Sequence, residues 1–202
     1  MTQRVIPIVS AGRGAASAGL ATLPPLSLYV HFPWCVRKCP YCDFNSHEAR
    51  NGIPEAAYLA ALIADLEHAL PLIWGRPVVS MFIGGGTPSL LAPESVDALL
   101  SAVRSRLTLL PDAEITLEAN PGTAEADRFT GYRAAGVNRL SVGVQSFNPR
   151  HLAALGRIHD ADEARRAVEL ALQCFDNVNL DMMYALPRSE EHTSELQSRQ
   201  SI

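Results

Sequence analysis

An α/β fold built on a parallel sheet is the class this sequence predicts, and three observations predict it. From Leu26 onward, short β-rich runs alternate with helical stretches in a rhythm that reads as consecutive βαβ units. The helical stretches carry Leu and Val at helical spacing, the stripe that a helix covering a sheet requires. Candidate ligand residues recur at the C-terminal ends of the strands, the edge where parallel α/β sheets bind their ligands. Pattern alone allows either an open doubly wound sheet or a barrel.

Strands are expected over 27–32, 78–83, 114–118, 139–144 and 178–181. The first helix opens at Pro54 and Glu55 and lines up Leu59, Leu62, Ile63, Leu66 and Leu70. The second opens at Pro93 and Glu94 and lines up Val96, Leu99, Leu100, Val103 and Leu107. Thr123 is the expected N-cap of the third, and Gly136 lies just past its end. Asn148 and Pro149 start a short helix that Gly156 stops. Asp160 with Glu163 then forms a capping box for the helix running to Cys174.

The chain has 202 residues, 17 Lys+Arg against 21 Asp+Glu, and a formal net charge of -4. That is one domain or most of one, with core enough to need no disulfide staple. Its mildly acidic balance excludes a non-specific pull toward nucleic acid or anionic lipid. No uninterrupted apolar run approaches the roughly 18 residues of a transmembrane segment. Residues 1–25 are rich in Ala, Gly, Pro and Ser without helical period, and are expected to form a disordered leader. Pro7 interrupts their short apolar stretch, which argues against a secretory signal. Residues 188–198, Arg-Ser-Glu-Glu-His-Thr-Ser-Glu-Leu-Gln-Ser, read as the in-frame translation of a short-read sequencing adapter. Residues 188–202 are therefore expected to be an artefactual tail, leaving 26–187 as an incomplete domain.

Three of the four cysteines fall within eight residues, Cys35, Cys39 and Cys42, directly after the first strand. Three thiolates on one tight loop suit an iron–sulfur cluster with an open iron. Zinc is the rival, and a structural zinc site takes four ligands. Cys174 sits inside a helical stretch and is expected to be a buried apolar side chain. Further along the same strand edge lie Gly84, Gly85, Gly86 and Thr87, then Glu118 and Asn120, Gln145 and Asp181. The glycines lack Cβ atoms and let a ligand approach the backbone, or they form a plain turn. No Lys-Ser or Lys-Thr follows them, so this is not a P-loop.

The stretch Tyr29-Val-His-Phe-Pro-Trp-Cys35-Val-Arg-Lys-Cys39-Pro-Tyr-Cys42-Asp-Phe-Asn-Ser resembles the radical S-adenosylmethionine superfamily. Phe82-Ile-Gly-Gly-Gly-Thr-Pro-Ser, Leu117-Glu-Ala-Asn-Pro-Gly, Val142-Gly-Val-Gln-Ser-Phe and Leu155-Gly-Arg-Ile-His follow in the same order. Within the superfamily the resemblance is to the HemW family of heme chaperones, relatives of oxygen-independent coproporphyrinogen III oxidase. It implies a truncated, partial TIM-type (β/α) barrel with about five βα units present, lacking the sixth unit and a C-terminal domain.

The resemblance also implies cofactors and contacts. Cys35, Cys39 and Cys42 would hold a 4Fe–4S cluster. S-adenosylmethionine would meet Gly84, Gly85, Gly86 and Thr87 through its amino group and Glu118 through its ribose. Gln145, Arg157 and Asp181 match positions that contact a second S-adenosylmethionine in the oxidase. Tyr29 and Tyr41 flank the cluster and pack on it, on adenine, or in the core. The oxidase carries a further cysteine two places after its third cluster ligand, where this chain has Phe44, and its N-terminal extension has no match in residues 1–25. Both departures favour a cytoplasmic heme chaperone that delivers heme to apo-hemoproteins such as respiratory enzymes. The alternatives are porphyrinogen decarboxylation and an inert fragment, and no catalytic residue is assigned. His31, His47 and His159 are candidate heme ligands, each with a structural role as its rival.

Overall fold

The computed structural model describes residues 23–73, 75–122 and 125–186. The expected N-cap Thr123, the tail and all but the last three residues of the expected leader lie outside the described residues. Five parallel strands form the main sheet: β1 (Leu26–Phe32), β4 (Val78–Gly85), β5 (Leu109–Ala119), β6 (Arg139–Gln145) and β7 (Val178–Met182). Two short strands, β2 (Trp34–Cys35) and β3 (His47–Glu48), pair with each other beside it.

The strands lie side by side in chain order, β1-β4-β5-β6-β7. A doubly wound sheet reverses direction at a switch point; this order never does. The alternative left open by the pattern is thereby settled as part of a TIM-type barrel. Crossovers between neighbours run through α1 (Glu55–Ile73), α2 (Pro93–Arg106), α3 (Glu125–Ala135) and α5 (Ala161–Cys174), with the short α4 (Pro149–Ala154) preceding α5.

Strand alternation sends one set of side chains under the helices and the other to the concave face. Val30, Phe32, Met81, Ile83, Ile115, Leu117, Leu140 and Val142 form the helix-facing set, and all are buried. The expected face of α2 is the face found: Val96, Leu99, Leu100 and Val103 are buried, and Leu107 beyond its end is buried with them. Each fully buried Leu or Val contributes about 1.5–3 kcal/mol relative to exposure, so this layer is what fixes the sheet.

Termini follow local chemistry. Asp160 accepts from the Asp162 and Glu163 backbones while Glu163 returns a carboxylate to the Asp160 N–H, completing the expected capping box. Asn148 caps α4 by accepting from the Arg150 N–H at 2.9 Å. Gly136 and Gly156 both have positive φ where α3 and α4 stop.

Two expectations need correction. β5 begins at Leu109, not residue 114: a register irregularity between Val78 and Ser80 lets the segment around Pro111 join the sheet without a regular ladder. Cys174 is half-buried, with Thr130 Oγ1 at 3.8 Å from its sulfur. By length and composition α1 is long and apolar enough to cross a membrane. Its apolar face instead packs Leu59, Leu62, Leu66, Leu70 and Ile73 against the core. Arg106 of α2 pairs with its Glu67 at 2.7 Å.

Candidate cofactor site

The cysteine loop is closed at its base by two short parallel strands. Their pairing sets Trp34 opposite His47 and Cys35 opposite Glu48, with His47 N–H donating to Pro33 O at 2.7 Å and Ala49 N–H to Cys35 O at 2.9 Å. Within the loop, Cys42 N–H donates to Cys39 O at 3.1 Å, which turns the chain between those two thiols. Lys38 reaches across to donate to the carbonyls of Phe44 at 2.9 Å and Ser46 at 3.1 Å. From β1, His31 Nε2 donates to Asn45 O at 2.8 Å, while its Nδ1 accepts from the Tyr29 hydroxyl at 2.9 Å. A carbonyl can only accept, so the network selects the Nε2–H tautomer of His31.

All four cysteines are free thiols. Cys35, Cys39 and Cys42 line one cavity of about 880 Å³ at the C-terminal edge of the sheet. Thr87, Glu118, Asn120, Gln145, Arg157 and Asp181 line the same cavity, together with Gly85, Gly86 and Tyr41. The residues expected at one strand edge thus line one open cavity.

The glycine turn after β4 is stitched to the base of the cysteine loop. Gly86 N–H donates to Phe32 O at 2.6 Å and Thr87 N–H to Trp34 O at 2.7 Å. Gly85 has φ +118, and a Cβ there would lie 2.8 Å from Phe32 O. Only glycine accepts both the angle and the contact. Close chain packing alone thus demands a glycine here, alongside any ligand requirement.

Gly85 also donates its N–H to Glu118 Oε2 at 3.0 Å. Burial pushes the Glu118 carboxyl above its ordinary value; the Gly85 N–H opposes that shift, Asp181 adds to it and His31 opposes it. Asp181 is held by the Ser141 hydroxyl at 3.1 Å and by Asn179 Nδ2 at 2.7 Å. Gln145 has φ +64 without being glycine; strain of this kind clusters at functional sites.

Arg157 is the hub. One Nη donates to Asn120 Oδ1 at 2.7 Å and Gly143 O at 2.6 Å, and the other sits 3.6 Å from Cys39 Sγ. Its Nε is buried without a partner, a donor left over at the cavity wall. Asn120 in turn donates to Thr87 Oγ1 at 3.0 Å, linking the arginine to the glycine turn.

Tyr41 lines the cavity, its hydroxyl pushed up chiefly by burial while neighbouring Arg157 acts the other way. Tyr29 and Gly84 do not line it among the described residues. Tyr29 stacks on Phe82 with centroids 6.3 Å apart. At 57% and 42% exposed, Tyr29 and Tyr41 are not core residues, which removes that alternative. Of the histidines, His31 has both nitrogens engaged. His159 is buried against Val144 O at 3.2 Å and held below its ordinary value by desolvation, then by Arg157. His47 is exposed on β3.

Sequence reasoning missed the Lys38 clamp, and it missed Arg128 and Tyr132 of α3. Arg128 Nη1 donates to the carbonyls of Ser89, Leu90 and Leu91 at 3.0–3.2 Å. The single hydroxyl proton of Tyr132 is shared between Ser89 O at 2.8 Å and Leu91 O at 2.7 Å. Their i, i+4 spacing on the inner face of α3 was the available signal.

The described architecture has counterparts. The family model described as the Radical SAM superfamily matches residues 29–197. This chain belongs to that superfamily. Among curated relatives, the heme chaperone HemW of Escherichia coli is 55% identical over 172 residues, covering 83% of this chain and 45% of the relative. HemW of Haemophilus influenzae is 51% identical over 187 residues, covering 89% of this chain and 48% of the relative. The chain thus spans about half the length of these relatives. The solved structure of the radical SAM enzyme coproporphyrinogen III oxidase (HemN) from Escherichia coli superposes with a TM-score of 0.74 at 35% identity, over 87% of this chain and 41% of that one.

Membership of a radical SAM family implies a 4Fe–4S cluster and S-adenosylmethionine. The residues present fit both groups: three free thiols share a cavity with a backbone cradle and a half-buried guanidinium whose Nε has no partner. Among the described residues, no three Cys, His, Asp or Glu side chains converge on a single-ion site. A cluster sets a looser demand, because each thiolate binds a different iron.

Proposed function

We propose that this chain carries the cofactor-binding part of a cytoplasmic heme chaperone that binds heme and hands it to apo-hemoproteins. The observation that carries the proposal is 55% identity over 172 residues to a protein named heme chaperone HemW. Phe44, standing where the oxidase has its extra cysteine, supports the chaperone over porphyrinogen decarboxylation. In this reading Cys35, Cys39 and Cys42 hold the cluster. The backbone of Gly85 and Gly86, together with Thr87, receives the amino group of S-adenosylmethionine, with Gly84 behind them in the turn, and the free lone pairs of Glu118 receive ribose hydroxyls. Gln145, Arg157 and Asp181 supply polar contacts from the opposite wall, and Tyr41 offers a ring at the rim; Tyr29 acts through His31.

When bound, the cluster and S-adenosylmethionine supply the radical-generating chemistry of the superfamily. This chain's residues bind and orient: Lys38 and His31 fix the cysteine loop, while Asn120 and Thr87 couple the arginine to the glycine turn. The full chain, purified without oxygen, should retain iron that is lost in Cys35→Ser, Cys39→Ser and Cys42→Ser. It should take up hemin in a titration and yield it to an apo-hemoprotein. Decarboxylation of coproporphyrinogen III without heme transfer would overturn the chaperone reading and favour the oxidase.

A further inference from the structure

Cys39 is contacted from outside its own loop by the turn between α4 and α5. Gly156, which ends α4 at φ +67, lies so close to the loop that a Cβ there would sit 2.8 Å from Pro40 Cδ and 3.2 Å from its Cγ. The next residue, Arg157, places an Nη 3.6 Å from Cys39 Sγ. Backbone bonds hold the turn itself: Gly156 N–H donates to Ala153 O at 3.1 Å and Arg157 N–H to Leu152 O at 3.0 Å. Leu152 is 2% exposed, so the platform is anchored in the core. Loop and turn are 118 residues apart in sequence at the Cys39–Arg157 contact.

The other two thiols have local supports. Cys35 is buried at the end of β2, in register with Glu48, and Cys42 lies 4.0 Å from the hydroxyl of buried Ser46. Cys39 sits at the loop's far point, where the external turn meets it.

We propose that residues 156 and 157 are a positioning device for Cys39: Gly156 lets the turn seat against Pro40, and Arg157 orients the thiol, so that this ligand is in place when a cluster is built. This rests on the reading of Cys39 as a cluster ligand. A close-packed seat transmits a displacement of one methyl group directly, since side chains in contact have no slack. Gly156→Ala therefore pushes Pro40 and Cys39 away from where Cys35 and Cys42 require them. Arg157→Lys removes the planar fork that serves Asn120, Gly143 and Cys39 together, which a point-charge ammonium cannot replace.

The test counts iron per chain after anaerobic reconstitution of the full chain without S-adenosylmethionine, with electron paramagnetic resonance of the reduced cluster. Gly156→Ala should at least halve the iron bound. Gly75→Ala, with a similar φ of +66 but open space around its Cβ, should load like the parent. Pro40→Ala combined with Gly156→Ala should restore loading, because the missing ring makes room for the methyl group. Arg157→Lys should load less iron or shift the resonance signal. Full loading of Gly156→Ala, or no rescue by Pro40→Ala while circular dichroism shows the parent fold, overturns the proposal. If Cys39→Ser itself kept all its iron, the ligand assignment would fail instead, so the two failures are distinct.

Discussion

Glu118 carries a testable pH signature. Its carboxyl is raised above the ordinary range, first by burial, with the Asp181 charge adding and the Gly85 N–H and His31 opposing. A raised folded value means the folded chain holds the proton more tightly than the unfolded one. The stability this gives is fully present below the unfolded carboxylate range and is lost as pH rises through the folded value. Glu118→Gln removes the charge yet still offers an oxygen to Gly85. The variant should melt higher than the parent at pH 7, with the gap closing as pH falls through the raised folded value to the ordinary carboxylate range, while affinity for S-adenosylmethionine drops. A parent that melts higher at pH 7 would contradict this account. Side-chain chemistry of this kind was only partly legible. The three thiols, the glycines, Glu118, Gln145 and Asp181 announce themselves as residue types at strand ends, and Arg157 through the family resemblance alone. That Arg157 touches Cys39 depends on a contact across 118 residues, which no local pattern encodes.

Helix α3 does more than cover the sheet: Tyr132 and Arg128 together clamp the turn that follows β4. The Tyr132 ring is fully buried and its hydroxyl serves two carbonyls. Those carbonyls also accept from Arg128, so Tyr132→Phe leaves neither of them orphaned. The expected loss is that of ordinary hydrogen bonds, about 1 kcal/mol, which lowers Tm by about 2–4 °C for a chain of this size. Thermal melting followed by circular dichroism measures it, and a drop of more than about 3 kcal/mol would show that the clamp holds more than these bonds. Element types were legible because periodicity survives in the sequence: Val96, Leu99, Leu100 and Val103 repeat at helical spacing and all are buried. The start of β5 was not, because Pro111 argues locally against a strand and only a shifted register admits it.

Strand order places β1 and β7 at the two edges of the described sheet. In a parallel sheet, alternate backbone groups of a strand point toward opposite neighbours, so β7 satisfies one set through β6 and presents the other outward. Its side chains give little cover: Leu180 and Met182 are 37% and 49% exposed, and Tyr184 just beyond is 77% exposed. Central β4 and β5 are flanked on both sides, and Ile83 and Leu117 have no exposed surface. Local opening free energy should therefore fall across the sheet toward β7. For residues 1–202 alone, amide hydrogens of Val178–Met182 should exchange at least about tenfold faster than those of β4 and β5, a difference of about 1.4 kcal/mol. In a longer chain that lays a further parallel strand against β7, the outward amides gain acceptors and the apolar face gains cover. Exchange at Val178–Met182 should then slow toward the central value, and hemin affinity should rise with it, because Asp181 on this strand lines the shared cavity. Hydrogen exchange read by mass spectrometry on both chains decides the matter. Equal protection of β7 and β4 in residues 1–202 would mean that the edge is already covered and that this account of its instability is wrong.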